Sequence, residues 1–124
     1  MNNTNTLLYF AAFHGEFEKC KLIVDKIEDT DLKNSFRKTP LSMAAQKGHL
    51  KVCKILIEKM ADKNPADCIG NTPLHHAADS GFSEICKLII NNVSDIHPQN
   101  MYGITPKTWA EERLNHEISK LFVS

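Results

Sequence analysis

Between Leu50 and Lys59 the apolar side chains Val52, Ile55 and Leu56 lie three and four positions apart, a spacing that lines them along one stripe of an α-helix. A second helix of the same kind is expected over Ser83–Asn91. Each is preceded by a shorter apolar segment that opens on Thr39-Pro40 or Thr72-Pro73. Threonine is a good helix cap. Proline fits the first helical position, because its fixed φ is helical and its missing N–H would be unpaired there anyway. The pairs Ala44-Ala45 and Ala77-Ala78 let a neighbouring helix approach closely, and Gly48 and Gly81 end these helices after about two turns. The turn-rich stretch from Ala61 to Gly70 carries the chain back to the next Thr-Pro.

This order repeats. Shifting the chain by 33 residues lays Thr39-Pro-Leu-Ser-Met-Ala-Ala45 on Thr72-Pro-Leu-His-His-Ala-Ala78, and that on Thr105-Pro-Lys-Thr-Trp-Ala110. Thr6-Leu-Leu-Tyr-Phe-Ala-Ala12 holds the same register upstream. Gly15, Gly48 and Gly81 keep the period, as do Cys20, Cys53 and Cys86, followed by Lys21-Leu-Ile-Val24 and its counterparts beginning at Lys54, Lys87 and Lys120. Four coincident features at one period divide the chain into a single domain of units at about 6–33, 34–66, 67–99 and 100–124.

The units resemble ankyrin repeats, most clearly in Asp67-Cys-Ile-Gly-Asn-Thr-Pro-Leu-His75 and Gly48-His-Leu-Lys-Val-Cys-Lys-Ile-Leu-Ile57. The resemblance implies an all-α solenoid of stacked antiparallel helix pairs, with short β-hairpin fingers projecting from it. Departures carry expectations of their own. Ile27, Met60 and Val93 stand where the family usually has glycine after the second helix. Arg37 stands where Gly70 and Gly103 mark the finger tip, so the first finger is expected to be distorted. The first unit has Leu7 for proline and no preceding finger, and the last has Lys107, Glu111 and Leu114 for Leu, Ala and Gly. Such changes suit the polar ends that a complete short array needs.

Composition excludes more than it suggests. Fifteen basic residues balance fifteen acidic ones, which argues against nucleic acid as a partner and against recruitment by long-range charge. The segment from Leu7 to Phe13 is too short for a signal sequence, and no apolar run approaches a membrane span. A cytoplasmic or otherwise intracellular protein without a membrane segment is expected, monomeric when unbound.

Four cysteines and six histidines raise the question of metal. Cys20, Cys53 and Cys86 hold one equivalent place in successive units, where stacked helices stand roughly 8–10 Å apart. That is too far for a disulfide or a shared zinc, so core packing is expected. Cys68 belongs on a finger tip. His75, in the Thr-Pro-Leu-His motif, is implied by the resemblance to tether adjacent loops. His76 matches Phe10, Met43 and Trp109, positions expected to be buried, and so reads as a satisfied core histidine, with a weak pH switch as the alternative. With no nucleophile–base spacing, phosphate loop or paired carboxylates, neither catalysis nor a cofactor or metal is expected. Asn64, eight residues after Leu56 and two after Asp62, matches the pattern favoured by asparaginyl hydroxylases of ankyrin domains, apart from Lys63. His97 holds the equivalent site, and the ordinary alternative is that Asn64 stabilises a turn.

The resemblance implies that another protein binds through the finger tips and the solvent side of the first helices. Carried over unit by unit, these positions are Phe13 and His14, then Phe36, Lys38, Gln46 and Lys47, then Cys68, Ile69, Asn71, Asp79 and Ser80, and last Met101, Tyr102, Ile104, Glu112 and Arg113. Phe13, Phe36, Ile69, Met101 and Tyr102 would form an apolar ridge of the kind interface cores favour, unless they pack against neighbouring fingers. The expected function is an adaptor, scaffold or inhibitor acting by occupancy. Self-association through Ile118, Leu121, Phe122 and Val123 of the last unit is the alternative.

Overall fold

Eight helices pair off along the chain in a computed structural model that describes residues 3–27 and 32–123. The pairs are α1 (Asn3–His14) with α2 (Phe17–Val24), α3 (Pro40–Lys47) with α4 (Leu50–Lys59), and α5 (Pro73–Ser80) with α6 (Ser83–Ile90). Helix α7 (Pro106–Glu112) pairs with α8 (His116–Ser119), which runs into a 3₁₀ turn at Lys120–Phe122. First helices pack on first helices, α1 to α3 to α5 to α7, and second helices on second helices, α2 to α4 to α6 to α8. The core lies between these layers: Leu8, Leu41, Leu74, Leu56 and Ile89 are fully buried, as are Cys20, Cys53 and Cys86.

The first helices start and stop as their end residues dictate. Thr39 and Thr105 accept from Ser42 N and Thr108 N through their hydroxyls, with proline next in line. Gly48 and Gly81 end α3 and α5 in the left-handed conformation, both at φ +84°. The next residue then closes the end: His49 N–H donates to Ala44 O and Phe82 N–H to Ala77 O. Leu114 performs the same turn at φ +55° without being glycine, and Asn115 N–H donates to Ala110 O. A glycine is required at Gly15 and Gly48 for a second reason. A Cβ there would fall within 2.5 Å of the His49 ring or 2.6 Å of the Phe82 ring, because each ring lies over the preceding unit's glycine.

The first and last of these units carry charge at positions that are buried in the others. Val52, Ile85 and Ile118 are buried against the preceding unit, and their equivalent in the first unit is the exposed Lys19. Ala12, Ala45 and Ala78 are buried, and their equivalent in the last unit is the exposed Glu111. Ile27 and Met60, which replace the usual glycine after the second helix, are themselves buried, and α4 ends with Met60 in extended backbone.

The expected β-hairpins are replaced by turns; no strand forms among the described residues. Residues 34–38, 67–71 and 100–104 make three copies of one loop. In each, Asn34, Asp67 or Asn100 donates its N–H to the carbonyl of Lys38, Asn71 or Ile104 at 2.9–3.0 Å. Its side-chain Oδ1 accepts from the backbone two and four residues on. A side chain thus takes bonds that a hairpin ladder would make, which is why the loop closes too tightly for strands. The distortion expected at Arg37 is absent: Arg37 adopts φ +61° and keeps every one of these hydrogen bonds.

Candidate partner-binding surface

Successive fingers are joined through their backbones. Cys68 N–H donates to Phe36 O at 3.0 Å, and Met101 N–H donates to Ile69 O at 2.8 Å. Within the row, Asn100 Nδ2 donates to Asn71 Oδ1 at 2.9 Å. Asn71, expected on the docking face, is therefore buried between fingers and belongs to the scaffold. Ile104 is half-buried and its carbonyl is occupied by Asn100 N–H and His75 Nε2. The other finger positions stay outside: Phe36 is 62% exposed, Met101 67% and Tyr102 71%, with Ile69 at 39% and Cys68 also exposed. Backbone pairing fixes the spacing of these side chains without covering them.

On the first helices the expected residues pair across unit boundaries. Lys47 Nζ stands 4.9 Å above the Phe13 ring, whose edge meets His14 at 4.9 Å. Ser80 Oγ donates to Gln46 O at 3.3 Å, and Arg113 donates through Nε to Asp79 Oδ1 at 3.0 Å. Phe13, Gln46 and Asp79 are half-buried, while His14, Lys47, Ser80, Glu112 and Arg113 are exposed. Lys38 is half-buried at the base of the first finger. Exposed ion pairs of this kind contribute only about 0.2–1 kcal/mol, so these polar groups are free to exchange partners at little cost.

Two histidines, His75 buried and His76 half-buried, support the second and third fingers. His75 Nδ1 accepts from Thr72 N–H at 3.0 Å, so Nε2 carries the proton and donates to Ile104 O at 2.8 Å. The tether implied for His75 is thus made, and the ring also meets the edge of Trp109 at 5.5 Å. His76 reaches Asp67 Oδ2 at 3.3 Å. Burial holds both histidines below the ordinary histidine pKa. Hydrogen bonds to Ile104 O for His75 and to Asp67 for His76 oppose the shift without cancelling it. Of the positions matched with His76, Met43 is buried and Trp109 half-buried, but Phe10 is exposed, because no finger stands before α1.

The remaining chemistry-bearing side chains stand apart. No group of three or more His, Cys, Asp or Glu among the described residues is placed to hold a metal ion. Burial pushes the thiol of Cys20 up to about 11 and those of Cys53 and Cys86 to about 12, as suits inert core groups. Asn64 is half-buried, donates its N–H to Asp62 Oδ1 at 3.0 Å and reaches Asp95 O with Nδ2, while His97 is exposed beside Phe122. Of the four residues considered for self-association, Ile118 and Phe122 are buried in their own core, Leu121 is half-buried and Val123 is exposed.

Sequence reasoning missed the residues that build the finger row, Asn34, Asp67 and Asn100. Their signal was available: an Asn or Asp three positions before the tip, recurring at the unit period. It also missed Phe10, which only a missing neighbour exposes.

No helix among the described residues is long and apolar enough to cross a membrane. A comparison with curated proteins finds no match. A family model for three copies of the ankyrin repeat matches residues 7–100, a span that ends on the fourth unit's finger residue Asn100. That match covers the first three units, and on it the chain belongs to the ankyrin-repeat family.

Proposed function

We propose that this protein binds a partner protein by occupancy, through the finger tips and the outer side of the first helices. Ankyrin repeats are generally protein-interaction modules, and the family is typically non-catalytic. The observation that carries the reading is the row of exposed apolar side chains Phe36, Ile69, Met101 and Tyr102 on fingers whose backbones are locked together. Large apolar groups held rigidly in water lose little further entropy on binding, which makes them effective anchors. Polar groups of the first helices flank them, and their weak mutual pairs are readily traded for contacts with a partner.

The test is the double variant Phe36→Ala/Tyr102→Ala in an affinity capture from the native source, with the captured protein then measured in purified form. Each truncated anchor is expected to cost about 1–2 kcal/mol, so the pair should weaken binding about 30-fold or more. Unchanged affinity in a folded double variant would remove the ridge from the binding surface.

A further inference from the structure

The second, third and fourth units each have a finger standing before the first helix, and among the described residues the first unit has none. Helix α1 begins at Asn3, whereas the residue matching Pro40 and Pro73 is Leu7. An extra helical turn thus occupies the chain that would form a finger. Two features are left open as a result. Phe10 is 56% exposed, while its equivalent Met43 is 7% exposed. A cavity of about 250 Å³ lies beside it, lined by Thr6, Tyr9, Phe10, Leu32, Asn34 and Pro40. Furthermore, each later finger donates one N–H to the finger before it, from Cys68 to Phe36 O and from Met101 to Ile69 O. The matching donor of the first finger, Ser35 N–H, has no acceptor among the described residues.

We infer that this groove takes an extended segment of a partner protein, which completes the finger row at its first position. Within the protein itself the equivalent place before each later first helix is taken by a finger whose backbone carbonyl, that of Phe36 or Ile69, accepts from the next finger. The partner segment would offer such a carbonyl, and the cavity lining of Tyr9, Phe10, Leu32 and Pro40 calls for an apolar side chain beside it. One of its carbonyls accepts from Ser35 N–H, and one aromatic or branched aliphatic side chain fills the cavity against Phe10 and Tyr9. Tyr9 Oη already accepts from Asn34 Nδ2 at 2.7 Å, which leaves its own proton to meet a second carbonyl of the segment. A finger from a second copy does not fit this place. In every unit that has a finger, Thr-Pro leads directly from it into the first helix, so a copy's finger set here would bring its own first helix onto the place of α1. The occupant is therefore a segment with no helix pair behind it. This inference rests on the proposed binding function and adds a docking point and a peptide chemistry to it.

The test uses the full chain and a phage-displayed library of random twelve-residue peptides. Selected peptides are measured against the wild type, Phe10→Glu, Ser35→Pro and Phe36→Ala/Tyr102→Ala. Ser35 is the second residue of a turn closed by Arg37 N–H on Asn34 O, a position that favours proline, so Ser35→Pro deletes the donor and keeps the loop. The expected result is peptides with one aromatic or aliphatic anchor that lose about tenfold in affinity on Phe10→Glu and on Ser35→Pro but not on the finger-tip double variant. Phe10→Ser replaces Phe10→Glu if the charge unsettles α1. Peptides weakened by the double variant alone would overturn the groove and leave the ridge standing. A library that yields no binder, or nuclear Overhauser contacts from the chain's own first two residues to the Phe10 ring, would also overturn the groove.

Discussion

Gly48 and Gly103 share a left-handed backbone but differ in what surrounds them, so alanine at the two sites separates backbone strain from steric conflict. Gly103 has φ +75° and nothing within 4 Å of a built Cβ. Alanine there meets only the left-handed penalty of about 1–2 kcal/mol, offset by about 0.4–1 kcal/mol because alanine restricts the unfolded chain. A net loss of about 1 kcal/mol is expected. Gly48 has φ +84°, and a Cβ would stand 2.6 Å from the Phe82 ring, which is itself packed against the core cluster. Moving that ring adds an overpacking cost of about 1–3 kcal/mol, so Gly48→Ala should lose about 2–4 kcal/mol in all. Leu114→Gly is the reverse arm: Leu114 holds φ +55° with its side chain 76% exposed, so glycine relieves strain without opening a cavity. A gain of about 0.5–1 kcal/mol is expected. Urea unfolding followed by far-UV circular dichroism, fitted with a common m-value, measures all three. Equal costs for Gly48→Ala and Gly103→Ala would refute the claim that the Phe82 ring leaves no room for a side chain at position 48. A destabilised Leu114→Gly would refute the strain assignment.

Two further outcomes follow from the histidines and cysteines. His75 and His76 both titrate below the ordinary value near 6.5, so the unfolded chain takes up protons first. Their contribution to stability is complete above about pH 6.5 and is lost as the pH falls below it. Thermal midpoints taken at about pH 7.5 and 5.5 should show this fall, and His75→Ser/His76→Met, which imports the second unit's own Ser42-Met43 pair, should reduce it. An undiminished slope in that variant would place the titration elsewhere. With an aromatic disulfide reagent at neutral pH, Cys68 should react quickly and the three buried thiols only after denaturation. A second fast thiol would mean that a second helix opens in the folded state.

Much of this architecture was written in local chemistry. Thr-Pro starts, Gly stops and the three-and-four spacing of apolar residues each act over a few residues, so Leu50–Lys59 could be placed without reference to the rest of the chain. The cysteines could be assigned to the core because their period matched the stacking of whole units. Finger geometry was harder to read. Asn34, Asp67 and Asn100 each close their loop through a side-chain oxygen, and that competition between side chain and backbone replaced the hairpins the resemblance implied. Arg37 brings no distortion because strain at one residue is small beside the four hydrogen bonds that close its loop, and the loop imposes its φ.

The sequence by itself determined the repeat, the helix pairs, the buried faces and the positions of the fingers, since these depend on residue type and spacing alone. Tertiary structure decided which of those residues remain in water. Asn71 and Asn100 turned inward to join two fingers, and Ile118 and Phe122 closed over their own core. Phe10 stayed exposed because the element that would cover it became a turn of helix. Exposure is a property of neighbours that lie a full unit away along the chain, and no local spacing encodes whether such a neighbour is there.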